Sequence, residues 1–213
     1  MIIGVFDSGI GGLTVLKELK ALMHEHQYIY IGDSERAPYG DLPKKTIVRY
    51  SKEITRKLLK QRVDLIVVAC NTVSAIALDE LQKISPVPVI GVIEPTKEYL
   101  ELSGLKKVGL AATTATVSSK VYPSVISVAC PEFVPLIEAR NFGWDLDMAV
   151  RKRFSQFFGK NLEAIILGCT HYPLIQEKLE QFLKTSGERI QLIDPAIHTA
   201  RYIRAAIATA KAV

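Results

Sequence analysis

Leu65-Ile66-Val67-Val68-Ala69-Cys70-Asn71-Thr72 and Ile165-Ile166-Leu167-Gly168-Cys169-Thr170-His171 decide the fold. Each is a short, continuous apolar run that ends in a cysteine and a polar pair. Runs of this kind read as strands covered on both faces, the pattern of a parallel sheet rather than an amphipathic one. A thiol placed where such a strand gives way to a helix gains from the N-terminal peptide dipoles, which favour thiolate. Two thiols in matched contexts point to a paired chemical task.

The same order of parts runs through both halves of the chain. Val5-Phe6-Asp7-Ser8-Gly9 opens the first and Leu110-Ala111-Ala112-Thr113-Thr114 the second; each leads to a helical stretch, a strand, another helix and then the cysteine. Glu94-Pro95 lies 24 residues beyond Cys70, and Asp194-Pro195 lies 25 beyond Cys169. Strands are expected at Ile2–Phe6, Tyr28–Ile31, Leu65–Ala69, Val89–Ile93, Val108–Ala111, Val125–Ala129, Ile165–Leu167 and Ile190–Ile193, with helices between them. The expected architecture is α/β: two pseudo-symmetric units, each a mostly parallel sheet flanked by helices, facing each other. Residues 1–94 with 195–213 would form the first unit and 95–194 the second, the chain turning at the Glu94-Pro95 and Asp194-Pro195 junctions. The segment from Ala196 to Val213 reads as a helix with Ile197, Ile203 and Ile207 inward, returning to the first unit.

Composition narrows the function. The chain has 213 residues, 48% of them hydrophobic, and a net charge of +5. No apolar run approaches the ~20 residues of a membrane span, and Met1 leads straight into the first strand without room for a signal peptide, so a cytoplasmic protein is expected. Three cysteines without a C-x-x-C pair argue against a disulfide framework and a cysteine zinc site. Much of the positive charge sits on a helix at residues 44–60, with Ile47, Tyr50, Ile54 and Leu58 on one stripe and Arg49, Lys52, Arg56 and Lys60 on the other, the pattern of a solvated face rather than a nucleic-acid surface.

The polar motifs all fall at predicted strand ends, where open parallel sheets bind ligands. Asp7-Ser8-Gly9-Ile10-Gly11-Gly12 follows strand one; its glycines permit a tight turn and close approach of backbone N–H groups to an anion. With Asp33 it imitates a dinucleotide fingerprint, but Thr14 occupies the third glycine position, and a carboxylate ligand is favoured. The loop Gly32 to Gly40, containing Pro38 and Tyr39, is expected to help close a pocket. His171 is placed to orient a neighbouring thiol or ligand. Cys130 lacks a polar follower and reads as core or loop; His24, His26 and His198 read as surface or loop residues.

At Asp7-Ser8-Gly9-x-Gly11-Gly12, Pro38-Tyr39-Gly40, Ala69-Cys70-Asn71-Thr72, Gly91-Val92-Ile93-Glu94-Pro95 and Leu167-Gly168-Cys169-Thr170-His171-Tyr172-Pro173 the chain resembles the bacterial glutamate racemases, in the aspartate/glutamate racemase superfamily. The resemblance implies a cofactor-independent isomerase that supplies D-glutamate for peptidoglycan, with no metal and with L- or D-glutamate as its small-molecule partner; a homodimer is left open. It implies an active site in the cleft between the two α/β units, with Cys70 and Cys169 as bases on opposite faces of the substrate, assisted by Asp7, His171 and Glu138. Substrate contacts are implied at Asp7, Ser8, Pro38, Tyr39, Gly40, Asn71, Thr72, Thr113, Thr116, Thr170 and His171. The chemistry agrees, because inverting a carbon requires an acid/base group on each face. The two sulfurs are then expected across one cleft, roughly 6–9 Å apart given two ~3–3.5 Å contacts to the carbon.

One region departs from the pattern. Asp7 and Asp33 are 26 residues apart, but Thr113 and Cys130 only 17, so a second-half helix is expected to be truncated around Val121-Tyr122-Pro123-Ser124. Three other readings stand beside the first: a racemase of aspartate or another amino acid, which pocket size would separate; a binding module that has lost turnover, which the intact cysteine motifs oppose; and a dehydrogenase, which a cofactor requirement would reveal.

Overall fold

The computed structural model describes residues 1–211. Among them, eight strands form two parallel four-stranded sheets. The first holds β1 (Ile2–Asp7), β2 (Gln27–Gly32), β3 (Leu65–Val68) and β4 (Val89–Gly91) in the order β2-β1-β3-β4; the second holds β5 (Val108–Ala112), β6 (Ile126–Ala129), β7 (Ala164–Gly168) and β8 (Gln191–Ile193) in the order β6-β5-β7-β8. The orders are the same, so the internal repeat seen in the sequence is a repeat of topology. Cys70 and Cys169 follow β3 and β7, which hold equivalent places.

The helices are α1 (Leu13–Leu22), α2 (Lys44–Lys60), α3 (Asn71–Ile76), α4 (Leu78–Ile84), α5 (Ile93–Ser103), α6 (Thr114–Ser118), α7 (Phe133–Glu138), α8 (Trp144–Phe154), α9 (Gln176–Thr185) and α10 (Pro195–Lys211). Alternation along the strands divides the apolar side chains among three cores. Ile3, Val5, Leu65 and Val67 of the first sheet share one core with Val108, Leu110, Ala164 and Ile166 of the second, closed by Leu19 of α1, Ile93 of α5 and Ala200 and Ile203 of α10. Phe6, Ile66 and Val68 face the opposite way, onto Ile47, Ile54 and Leu58 of α2. Ala111, Ile165 and Leu167 face Phe133, Val150, Phe154 and Leu179. The two sheets are therefore joined by a common apolar layer rather than by a linker.

Several expectations need correction. Val89–Ile93 is a strand only as far as Gly91, and Glu94-Pro95 lies inside the first turn of α5 rather than at a chain reversal. Proline is tolerated there because the first helical N–H groups have no partner to lose. Asp194 does mark a start, accepting a hydrogen bond from the Ala196 N–H at 2.9 Å. In α10, Ile203 is fully buried and Ile207 half-buried, but Ile197 is exposed, since α1 and α5 cover only one side of the helix. The last two residues of the predicted helix, 212 and 213, lie outside the described residues. His198 is on α10 rather than in a loop and stacks on Tyr99 with ring centroids 3.6 Å apart. β2 is an edge strand and only half-buried, so continuous apolarity there overstated its cover. The truncated helix is α6, five residues long, after which Lys120 and Ser124 take left-handed φ of 54° and 65°.

Because one core spans both sheets, Ile203→Ala is expected to lower stability by about 3 kcal/mol, the transfer plus cavity cost of a buried isoleucine. Urea unfolding should stay a single transition. Two separated transitions would show that the sheets unfold independently and that the shared layer contributes little.

Candidate active site

The carboxyl ends of both sheets converge on one cavity. Its walls carry Ser8 from the end of β1, Ala37, Pro38, Tyr39 and Gly40 from the loop after β2, Cys70, Asn71 and Thr72 from the end of β3, Thr113 from the end of β5, Val134 and Glu138 from α7, and Cys169, Thr170 and His171 from the end of β7. The free space it encloses is about 20 Å³, roughly the volume of one water. Both thiols line it, so neither a packed core nor the molecular surface separates them.

The second-sheet thiol has an ordered relay behind it. His171 Nε2 lies 3.0 Å from Glu138 Oε1, and its Nδ1 lies 3.9 Å from Cys169 Sγ. A carboxylate only accepts, so Nε2 carries the proton of the neutral ring and the Nδ1 lone pair faces the thiol. The first-sheet thiol has different neighbours. Cys70 donates to Ser8 Oγ at 3.4 Å, and the Asp7 carboxylate lies close enough to oppose its ionisation.

Two glycines make the crossing between sheets. A Cβ on Gly11 would come within 2.5 Å of both His171 Nδ1 and Thr170 Oγ1. A Cβ on Gly12 would collide with the Asp7 side chain. The turn after β1 is therefore glycine-rich because residues of both sheets press on it. Thr14, the residue that breaks the dinucleotide pattern, bonds across the same gap, its Oγ1 donating to Thr170 O at 3.2 Å.

Two predicted contact residues sit behind the wall rather than in it. Asp7 is fully buried and takes hydrogen bonds from the Gly9 N–H at 2.9 Å and from Thr170 Oγ1 at 3.3 Å. The turn's N–H groups draw the carboxylate back into the protein. Thr116 is fully buried too, 3.0 Å from Thr113 Oγ1 and 3.4 Å from Thr72 Oγ1. Thr113 caps α6, which carries Thr116 one turn further in. It supports the two threonines on the wall, themselves 2.8 Å apart.

Comparison with known proteins places this arrangement. The Asp/Glu/Hydantoin racemase family model matches residues 3–203. The glutamate racemase of Aquifex aeolicus is 43% identical over 213 residues, covering 96% of this chain and 82% of its own. The crystal structure of the Francisella tularensis glutamate racemase in complex with D-glutamate superposes with a TM-score of 0.88 at 37% identity, over 98% of this chain and 81% of that one. A Bacillus anthracis glutamate racemase gives 0.89 at 33%, over 98% and 82%. The chain belongs to the Asp/Glu/hydantoin racemase family. It is an isomerase.

Among the described residues of this racemase-family chain, no group of three or more His, Cys, Asp or Glu is placed to hold a metal ion, and no helix is long and apolar enough to cross a membrane. Electrostatics corrects one expectation. The position of Cys70 before α3 was expected to favour thiolate, yet burial pushes its thiol up to about 12, and Asp7 adds to the rise. Hydrogen bonds that Ser8 and the Val73 N–H would offer the thiolate pull the other way and lose. Cys169 is driven well above the ordinary thiol value, again mainly by burial. Desolvation dominates because a six-residue helix offers a small dipole against complete removal from water. Cys130 is a buried core residue, as its sequence context suggested. Sequence reasoning missed Ala37 and Val134, since an apolar residue on a cavity wall carries no signal that separates it from core. It also missed Tyr30, whose hydroxyl donates to Gly9 O at 2.5 Å and steadies the turn.

Burial raises Asp7 to about 6 from 3.8. Its contribution to stability is therefore complete below about pH 4 and is lost as pH rises through about 6. The loss approaches 3 kcal/mol for a shift of this size. Asp7→Asn, which does not titrate, should gain on wild type by about that amount between pH 4 and pH 7 in denaturant unfolding. A difference that stays flat across this range would show that Asp7 ionises as freely in the fold as outside it.

Proposed function

We propose that this protein interconverts L- and D-glutamate without a cofactor, using Cys70 and Cys169 as bases on opposite faces of the substrate. The observation that carries the reading is the pair of thiols, from equivalent strand ends of two repeated sheets, on the walls of one cavity. A relative of this fold is described in complex with D-glutamate, and the relatives compared are glutamate racemases, which favours glutamate over aspartate.

The chemistry follows from the neighbours. One cysteine, as thiolate, takes the Cα proton; the other, as thiol, delivers a proton to the far face. The substrate leaves inverted, and the protonation states of the two sulfurs are exchanged. Asp7 and the Glu138–His171 pair serve the two sides as proton-holding and orienting groups. Asn71 Oδ1 is buried and has no hydrogen-bond partner among the described residues. An unpaired buried acceptor calls for a donor, and the α-ammonium of an amino acid is one. Among the described residues no Lys or Arg lines the cavity, so the substrate carboxylates would be held by hydroxyls and N–H groups, with Ser8, Thr72, Thr113 and Thr170 in position.

The enclosed space is far smaller than a ten-atom amino acid, so binding requires the cleft to open and close. Free thiols as reagents suit a reducing compartment, consistent with a cytoplasmic enzyme feeding peptidoglycan precursors.

Incubation with L- or D-glutamate in D₂O, followed by polarimetry and Cα deuterium content by NMR, tests the reading. Wild type should racemise both enantiomers with solvent deuterium incorporated, and prior dialysis against chelator should leave the rate unchanged. Cys70→Ser and Cys169→Ser should each lower racemisation by at least about 10³-fold with the circular dichroism spectrum unchanged, because a hydroxyl is too weak an acid to replace either thiol. Near wild-type turnover by either variant would make that cysteine structural and remove the two-base mechanism.

A further inference from the structure

The loop between Gly32 and Gly40 contains charged residues that the reaction does not use. Asp33 is buried, with 9% of its surface exposed. Its N–H donates to Asp7 O at 3.1 Å, which fixes it to the end of β1. Its carboxylate accepts from Arg36 Nε at 2.7 Å and from the hydroxyl of Tyr39. Arg36 reaches past it, with Nη1 2.6 Å from Glu53 Oε2 on α2 and its guanidinium 4.0 Å from the centre of the Tyr50 ring. Tyr39 is fully buried, its ring 5.8 Å from that of Tyr50.

The far side of this loop belongs to the second sheet. Gly40 O accepts from the Ala115 N–H at 3.1 Å, and a Cβ on Gly40 would meet Thr113 at 3.0 Å. Pro38-Tyr39-Gly40 therefore forms a wall of the cavity that is held by the backbone of α6 at one end and by a side-chain network on α2 at the other.

We propose that Asp33, Arg36 and Glu53 are a brace that acts through Tyr39 to set the closed position of this wall, and so the affinity of the site for its amino-acid substrate, without touching the substrate. This rests on the glutamate reading of the same site. The cavity admits a substrate only when a wall moves, and the Tyr39–Asp33 bond re-forms only if Asp33 stays where Arg36 holds it. The wall lines the same cavity as the two thiols but carries neither base. Its contacts are the same before and during proton transfer, so weakening it raises KM and leaves kcat. Both directions of the reaction pass through the same closed site, and both should respond alike. Lysine is a poor replacement for Arg36, because Nε and Nη1 of one planar guanidinium bind the two carboxylates at 2.7 and 2.6 Å and an ammonium lacks that fixed fork.

The test is steady-state kinetics in both directions on wild type, Arg36→Met, Arg36→Lys, Asp33→Asn and Tyr39→Phe, with thermal unfolding to establish that each variant is folded. Arg36→Met and Asp33→Asn should raise KM about tenfold for both enantiomers with kcat within about twofold, and Arg36→Lys should recover only part of the loss. Tyr39→Phe combined with Asp33→Asn should cost less than the sum of the two single effects, because both act on one network. Hydrogen exchange of amides 36–42 reads the wall without substrate, and Arg36→Met should exchange faster. A folded Arg36→Met with wild-type KM, a fall in kcat at constant KM, or unchanged exchange would each overturn the brace. Wild type that exchanges slowly at the wall but does not racemise glutamate would overturn the substrate reading instead, leaving the brace to the exchange comparison.

Discussion

The architecture depends on how closely the turn after β1 approaches the loop after β7. Gly11 lies against Thr170 and His171, with no room for a side chain, while Asp7 accepts from Thr170 and Thr14 donates to the Thr170 carbonyl. These contacts bring the carboxyl end of one sheet against that of the other. The thiols at the ends of β3 and β7 thereby share one cavity, and the residues that set their electrostatics come from both halves. The Asp7 carboxylate of the first sheet adds to the rise of the Cys169 thiol of the second. The apolar layer shared by β1, β3, β5 and β7 supports the same crossing from beneath, so stability and site geometry rest on a common interface.

Much of this was legible because parallel strands leave a simple trace. Continuous apolar runs followed by Cys70-Asn71 and Cys169-Thr170 gave both the strands and the polar positions at their ends, and all but two of the predicted site residues line the cavity. Asp7 and Thr116 stand behind that wall because side-chain direction at a strand end depends on the turn that follows, which residue type alone does not encode. The Glu94-Pro95 reading failed for a related reason. Proline before a helix and proline in its first turn look alike until the preceding φ and ψ are known, and here Ile93 already belongs to α5. The brace around Asp33 was hidden by resemblance to a nucleotide motif, and Glu53 joins it from 17 residues beyond Arg36.

The repeat of topology does not extend to the surroundings of the sulfurs. Cys169 has an imidazole 3.9 Å away with a carboxylate behind it, whereas Cys70 has a serine hydroxyl and a buried carboxylate that raises its pKa. The two-base racemisation proposed here is symmetric at the carbon, but under it the routes by which protons would leave the two thiols are not alike. On the Cys169 side a neutral ring nitrogen can take the proton and Glu138 can stabilise the resulting cation. On the Cys70 side the nearby carboxylate is an acid of about 6 facing a thiol of about 12.

That mismatch indicates what the substrate itself must contribute. Ionising Cys70 at pH 7 against a value of about 12 requires about 7 kcal/mol. A single positive charge about 4 Å away returns about 4 kcal/mol at an effective dielectric constant near 20. The α-ammonium of an amino acid is such a charge, and the unpaired Asn71 Oδ1 offers it a place in the cavity wall. Under the proposed mechanism, thiols buried this deeply stay protonated and unreactive until substrate arrives, and the substrate's own cation supplies most of what turns one of them into a base. If the Pro38-Tyr39-Gly40 wall closes as proposed, enclosure strengthens the effect by removing the water that would screen the ammonium from the sulfur. The same burial that opposes thiolate in the free protein makes the ion pair stronger once the cleft has closed.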